Sequence, residues 1–315
     1  MEHLITVEHL VKRYRKAKEH AVNDISFSVG EGEFFALLGP NGAGKTTTIS
    51  ILTTTLAKTA GTVRIAGFDI EKQAREVRRR IGVIFQTSSL DKNLTAEENI
   101  RFHVSLYGLF PFRPLFALMP KIYKARIFIL AELLGIRREI FQPIHTFSGG
   151  MKRKLEVLRG LMHNPRVLFL DEPTTGLDPT SRKNVWNYLH DVRKKERTTI
   201  FLSTHYLEEA EAADNICIIN HGKIVASGAP TTIRKTLIDA YLLLDASVRQ
   251  SLRAELEQLQ LRFSGTGPFH ISLQNGKTPQ EIVQALKTPL SRLDIHTPTL
   301  EEAYLEIIGD EHANA

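Results

Sequence analysis

The stretch GPNGAGKT, Gly39 to Thr46, lies directly after the apolar run FFALL and leads into a Thr-rich segment. It satisfies the spacing G-x-x-x-x-G-K-[ST] at every position, and that pattern constrains the chain more than any other feature. A continuous apolar run reads as a strand buried on both faces. After that strand the chain must form a loop whose amides turn inward and a helix that starts at the lysine. Gly39, Gly42 and Gly44 let the backbone wrap phosphate groups, with Pro40, Asn41 and Ala43 completing the cradle. Lys45 brings a compact positive charge to the β- and γ-phosphates of a nucleotide. Thr46 offers a hydroxyl to Mg²⁺, and Thr47 reaches another phosphate oxygen.

A second apolar run, VLFLDEP from Val167 to Pro173, ends in two carboxylates. A buried strand would deliver Asp171 to the carboxyl edge of a sheet, where it can hold Mg²⁺ through coordinated water. Glu172, one residue on, points differently and can polarise an attacking water. A further anion site is suggested by FSGGMKRKLEVL, Phe147 to Leu158. Ser148 can cap a helix there, Gly149 and Gly150 bare their amides, and a basic helix comes next. Two phosphate cradles in one chain call for an explanation.

At 315 residues the chain is long enough for about two domains. The lone cysteine, Cys217, excludes an internal disulfide framework, and its apolar context, NICIIN, suggests a buried thiol. No secretory signal is expected from MEHLITVEHLVKRY. The longest apolar stretch, GLFPFRPLFALMPKIYKARIFILAELLG, is interrupted by Arg113, Lys121, Lys124 and Arg126 and by Pro111, Pro114 and Pro120, so it is not expected to span a membrane. A net charge of +6 permits either nucleic acid or an anionic membrane surface as a neighbour and decides between neither.

Strands are expected at LITVEHLVKRY, AVNDISFSV, FFALLG, GTVRIAG and RIGVIFQ, then a helical region from about Thr95 to Leu161, then buried strands in RVLFLDEP and TTIFLSTH. This alternation of strands and helices implies a mainly parallel sheet. A hairpin is expected around His221-Gly222. A break near GAPTTIRKT separates residues 1–230 from 231–315. The distal part reads strand (AYLLLDA), helix, strand (LRFSG), strand (FHISLQ), helix, strand, helix, the order of a small ferredoxin-like domain with a terminal helix.

The ordered set of the phosphate loop, FSGGM at 147–151 and LFLDEPTTGLDP at 168–179 resembles the ATP-binding cassette (ABC) ATPases. The resemblance covers roughly residues 4–230 and assigns further positions. Gln86 in IGVIFQ is similar to the family's Q-loop glutamine, which also approaches the metal. His205 in LSTH is similar to its switch histidine, Asp178 in TGLDP to its D-loop aspartate, and Tyr14 to the aromatic that stacks on adenine. The resemblance implies an α/β fold: a P-loop ABC nucleotide-binding domain with a mixed sheet core and a helical subdomain at about 95–160. A small C-terminal α+β domain would complete the chain.

It also implies catalysis by Glu172, His205, Gln86 and Lys45, with ATP and Mg²⁺ as ligands. The metal would be held by Thr46, Gln86 and Asp171. In the family's head-to-tail homodimer, Ser148 to Gly150 would cap an ATP bound to the other copy, which accounts for the second cradle. The implied partner is an integral membrane permease subunit, with this chain on the cytoplasmic face and no nucleic acid expected. FSGGMKRKLEV and the distal TPTLEEAYLEIIG resemble the daunorubicin-resistance type of exporter ATPase, whose cargoes are drugs, lipids, polysaccharides or antibiotics. Phe147 and Met151 depart from the commoner residues of the wider family, and the segment LFPFRPLFALMPKIYK departs from its usual short polar helix pair. The alternatives are a soluble ABC ATPase acting on nucleic acid or ribosomes, or an importer ATPase. A ligand-sensing role for the C-terminal part is a further alternative.

Overall fold

A computed structural model describes residues 3–87, 89–175, 177–237, 241–273, 278–296 and 299–313. Gly176 of the TGLDP stretch, Ala240 at the start of AYLLLDA and Gln274 at the end of FHISLQ lie outside them. The chain divides into two compact units, residues 1–227 and 228–315.

The first unit opens with two long strands, β1 (His3–Lys12) and β2 (Val22–Gly30), whose buried and exposed residues alternate because only one face is covered. The apolar β3 (Phe34–Leu38) comes next and is buried at every residue. It runs into α1 (Lys45–Leu52), after which come β4 (Ala60–Ile65), the short β5 (Phe68–Asp69), α2 (Ala74–Arg78) and β6 (Ile81–Ile84). Three longer helices fill the middle of the unit: α3 (Ala96–Leu106), α4 (Lys121–Leu133) and α5 (Gly149–Leu161). The unit ends with β7 (Val167–Asp171), α6 (Pro179–Glu196), β8 (Thr199–Thr204), α7 (Leu207–Glu211), β9 (Asn215–Asn220) and β10 (Lys223–Gly228).

Two sheets result, rather than the one mainly parallel sheet implied by the sequence. A six-stranded sheet has the order β10-β9-β3-β8-β7-β6, and a four-stranded antiparallel sheet has the order β2-β1-β4-β5. The physical reason lies in the strands themselves: β1 and β2 carry a one-sided apolar pattern, whereas β3, β7 and β8 are buried throughout. The two sheets share one apolar core, in which Ile5, Leu10 and Val63 meet Phe35, Phe169 and Phe201. Phe35 and Phe201 stand 5.1 Å apart by ring centroid and Phe201 and Phe169 5.2 Å. Cys217 sits in this core, where burial pushes its thiol up to about 12. The turn at His221-Gly222 has positive φ at both residues, 44° and 76°, as a tight two-residue hairpin requires.

The central parallel strands β6, β7, β8 and β3 all point their carboxyl ends at the same edge. That edge carries the phosphate loop after β3, Gln86 after β6, the Asp171–Glu172 pair at the end of β7 and His205 after β8. The helical region is not a simple helix pair. Between α3 and α4 the chain runs irregularly through one 3₁₀ turn, Phe116–Leu118. Its inner side forms a small core of its own with buried Met119 and Tyr123, and Phe116 packs edge-on to Phe128 and Phe141. Its outer side leaves Phe112, Leu115, Leu118 and Ile122 half or more exposed. Among the described residues no helix is long and apolar enough to cross a membrane.

The second unit begins with α8 (Pro230–Leu237) and continues as β11 (Tyr241–Ala246), α9 (Arg249–Gln258), β12 (Phe263–Ser264), β13 (Phe269–Ser272), α10 (Pro279–Ala285), β14 (Leu290–His296) and α11 (Leu300–Ala313). Its four strands form an antiparallel sheet of order β12-β13-β11-β14. Leu242, Leu244, Phe269 and Ile271 from the sheet bury against Leu252 and Leu256 of α9 and Ile282 of α10.

Candidate active site

The loop from Gly39 to Gly44 closes tightly on the sheet. A Cβ at Gly39 would sit 2.2 Å from the Ile219 carbonyl oxygen, so no other residue fits there. Gly44, at φ 108°, stands at the start of α1 without any side-chain cap, leaving the first amides of that helix directed at the cleft. Ala21, Asn41, Gly42, Gly44, Lys45, Thr46 and Thr47 line one wall of this cleft, whose volume is about 570 Å³, while Gln86, Glu172, Thr175 and His205 line the other.

Lys45 is 4% exposed and bends back on its own loop. Its Nζ donates to the carbonyl oxygens of Gly39 (2.8 Å) and Pro40 (3.0 Å) and lies 3.6 Å from Glu172 Oε1. Desolvation lowers its pKa, opposed by the charge and hydrogen bond of Glu172. Glu172 is the meeting point of the site. Gln86 Nε2 donates to its Oε2 at 3.1 Å, Thr175 Oγ1 donates to the same oxygen at 3.3 Å, and His205 Nδ1 is 3.3 Å from Oε1. Its backbone has φ 45°, a left-handed conformation unusual for glutamate. That turn aims the side chain into the cleft while Asp171, still in the strand, faces elsewhere.

Asp171 is 2% exposed and accepts hydrogen bonds from the hydroxyls of Ser203 and, at 3.3 Å, Thr46. Burial raises its pKa, while the two hydroxyls oppose that shift. Thr46 and Asp171 thus converge as two hard oxygen donors, with the Gln86 amide reaching the neighbouring Glu172. Among the described residues no group of three or more His, Cys, Asp or Glu could hold a metal unaided. The donor set suits an ion that takes most of its ligands from phosphate and water, as Mg²⁺ does.

The remaining sequence candidates fall outside this cleft. Tyr14 is 44% exposed and its hydroxyl is 3.3 Å from Thr47 Oγ1, which puts its ring beside the loop. Ser148 and Gly149 are exposed and Gly150 is half-buried; with Asp178, none of them lines the cleft of its own chain. The Ser148 Oγ accepts from Met151 N at 3.2 Å and caps α5.

Three contributors were not singled out in the sequence. Ser203 bonds Asp171 and also accepts from Glu172 N at 3.3 Å; its place in LSTH, at a buried strand end, is the signal that could have found it. Thr175 bonds Glu172, and it belongs to the quoted LDEPTTGLDP. Arg153 is the third. It is 7% exposed, donates from Nε to Pro173 O (2.6 Å) and from Nη1 to Phe85 O (2.8 Å), and pairs with Glu156 at 2.7 Å. One guanidinium therefore ties α5 to the residues beside Gln86 and Glu172. In the sequence it is one of several basic residues of KRK, and only its i, i+3 spacing to Glu156 marks it.

Residues 22–175 match the ABC transporter family. The Nod factor export ATP-binding protein I of Ralstonia nicotianae is 35% identical over 322 residues, covering 98% of this chain and 94% of that protein. The doxorubicin resistance ATP-binding protein DrrA of Mycobacterium tuberculosis is 39% identical over 238 residues, 75% of this chain and 69% of that protein. Among solved structures, an ATP binding subunit of an ABC transporter superposes with a TM-score of 0.63 at 30% identity, covering 74% of this chain and 92% of the other.

Proposed function

Because the chain belongs to the ABC transporter ATP-binding proteins, being 35% identical to an export member across 98% of its length, we infer that it binds and hydrolyses ATP to drive an exporter whose membrane pathway is a separate subunit. The observation that carries the reading is the convergence of Lys45, Gln86, Thr175 and His205 on Glu172 at the carboxyl edge of the sheet.

In this reading ATP phosphates enter the cleft and displace the contacts that Lys45 makes with the Gly39 and Pro40 carbonyls. The α1 amides and Lys45 then take the phosphate charge, which is most of what phosphoryl transfer needs from a protein. Freed from Lys45, Glu172 accepts the proton of the attacking water, and His205, 3.3 Å away, orients the carboxylate and faces the departing phosphate. Gln86 holds the other carboxylate oxygen. Thr46, Asp171 and Gln86 would hold Mg²⁺, which when bound neutralises charge on the β- and γ-oxygens.

Ser148 to Gly150 complete the site in trans. Gly149 is not needed for the fold of one chain in the way Gly39 is: a Cβ there would meet nothing closer than Leu177 Cδ2 at 3.8 Å. Two copies facing head to tail would each lend this capped helix start, and Asp178 beside it, to the other's nucleotide. Residues 1–230 are thus the ATP-binding domain, with the helical subdomain at about 95–160, and 231–315 an accessory domain. The chain sits at the cytoplasmic face of a membrane, bound to its permease. The cargo class is taken from the relatives, which are named for Nod factor export and doxorubicin resistance.

Changing Glu172→Gln tests the reading. ATP binding should persist while steady-state hydrolysis falls by about 10²- to 10⁴-fold and an ATP-bound dimer accumulates. Undiminished hydrolysis would remove Glu172 as the base.

A further inference from the structure

Glu209 is a buried carboxylate that the hydrolytic site does not use directly. It stands in α7 at 3% exposure and does not line the nucleotide cleft. Three side chains donate to it: Thr204 Oγ1 to Oε2 at 2.6 Å, Trp186 Nε1 to Oε1 at 3.2 Å, and Thr174 Oγ1 to the same Oε1. No basic side chain among the described residues forms an ion pair with it. Burying an anion without a cation costs desolvation that an apolar side chain of similar volume would avoid, so stability alone does not account for a carboxylate here. What its two acceptor oxygens supply is direction: they hold three donors in one arrangement.

The donors come from the segments that carry the chemistry. Thr174 follows Glu172 by two residues, and Thr204, the last residue of β8, precedes His205. Both threonines are fully buried. The strand ends themselves are joined where Glu172 N donates to Ser203 O at 3.1 Å. Past that bond the chain leaves the sheet, and Glu209 bridges the two turns. The bridge bears on the site because Glu172 has φ 45°, a backbone state that persists only where its surroundings hold it. His205 Nδ1 lies 3.3 Å from Glu172 Oε1, a spacing that depends on both turns. The third donor brings in α6. Trp186 stacks on Phe34 with ring centroids 5.5 Å apart, and Arg182, one turn earlier, lies 4.3 Å over the Tyr206 ring, which meets the His205 ring at 4.1 Å. Helix α6 therefore braces the histidine turn at two places.

We propose that Glu209 is a positioning residue for ATP hydrolysis. It holds the turn after Glu172 and the strand end before His205 at the separation in which base and histidine meet, with α6 as the fixed support. The proposal rests on the roles given above to Glu172 and His205, and adds a residue that acts only through them.

The test compares kcat, KM and equilibrium ATP affinity of the full-length chain with those of three variants, each first shown by its melting curve to be folded at the assay temperature. Glu209→Gln keeps the size but leaves one acceptor oxygen for three donors. Thr174→Val removes a single hydroxyl at nearly constant volume, and Thr174→Ser restores it. Glu209→Gln and Thr174→Val should each lower kcat roughly 10- to 100-fold, the effect of a small misplacement of reacting groups, with KM and ATP affinity little changed. Thr174→Ser should recover most of the rate. In a Glu172→Gln background, Glu209→Gln should slow the residual single-turnover rate no further, because the group it positions is already gone. Wild-type kcat in folded Glu209→Gln overturns the positioning role, as does a further loss of the same size in the Glu172→Gln background. Either result, beside a stalled Glu172→Gln enzyme, leaves the ATPase reading intact. Undiminished hydrolysis by Glu172→Gln alone overturns both.

Discussion

Lys45 Nζ lies 3.6 Å from Glu172 Oε1 and at the same time donates to the Gly39 and Pro40 carbonyls, so the charge meant for phosphate is satisfied by its own surroundings before a nucleotide arrives. Entry of ATP is an exchange of partners around one buried ammonium. Removing that ammonium acts twice. Lys45→Ala deletes the phosphate contact and also leaves Glu172, 9% exposed, without its cation. We expect nucleotide affinity to fall by at least 30-fold in equilibrium titration, because truncating one member of a buried charge pair costs on the order of 2–5 kcal/mol. Tight binding by that variant would mean that the loop amides alone hold the phosphates.

Asp171 illustrates a conflict between stability and chemistry. Burial raises its pKa above the usual 3.8, with Ser203 and Thr46 opposing, so the folded state holds the proton more tightly than the unfolded chain does. Its contribution is therefore most favourable below pH 3.8 and is lost as pH rises through the elevated folded value, which makes the ionised carboxylate a burden at neutral pH. Asp171→Asn keeps an oxygen to accept from Ser203 and Thr46 while removing the charge. Its melting temperature at pH 7 should rise, and the gain should shrink toward pH 4. Magnesium-dependent hydrolysis should be lost. A lower melting temperature at pH 7 would show that Ser203, Thr46 and Lys45 already compensate the charge.

How much of this was legible in the sequence depended on whether the signal was local. Gly39 to Thr47, Asp171 and Glu172 form contiguous runs whose spacing states their chemistry; Asn41, Gly42, Gly44 to Thr47 and Glu172 line one cleft with Gln86 and His205, and Asp171 sits behind it on Thr46. The split into two sheets was not legible. It is decided by the long-range pairing of β1 with β4, which joins residues as far apart as Ile5 and Ile65. The core beneath segment 107–124 was equally hidden. It hangs on Arg101 reaching carbonyls twelve and thirteen residues away, and arginine's role there is set by geometry that no local pattern encodes.

Arg153 is another arginine whose role is set at long range, and it yields its own test. Its guanidinium makes three directed bonds, to Pro173 O, Phe85 O and Glu156, and so couples the helix that begins at Ser148 to both strand ends of the site. Arg153→Ala should destabilise the first unit by about 3–5 kcal/mol in urea unfolding, since Glu156 is left buried and unpaired. Arg153→Lys keeps the charge but cannot serve three acceptors in a plane. It should fold, bind ATP through the intact loop, and lose at least tenfold in kcat with little change in KM. A proportional loss in both would mark Arg153 as merely structural.

Ser148 separates a cap from a contact made in trans. Its hydroxyl already accepts from Met151 N at 3.2 Å, so any substitution that removes it weakens the start of α5 by about 1 kcal/mol, or about 2–4 °C in melting temperature. Ser148→Ala and Ser148→Arg share that loss. They differ in volume at an exposed position, where a single chain offers no obstacle to the arginine side chain. In a Glu172→Gln background with ATP, light scattering should therefore show a dimer for the alanine variant and a monomer for the arginine variant, at similar melting temperatures. If both dimerise alike, the serine–glycine turn caps a helix and does no more, and the second phosphate contact must be sought elsewhere on the partner copy.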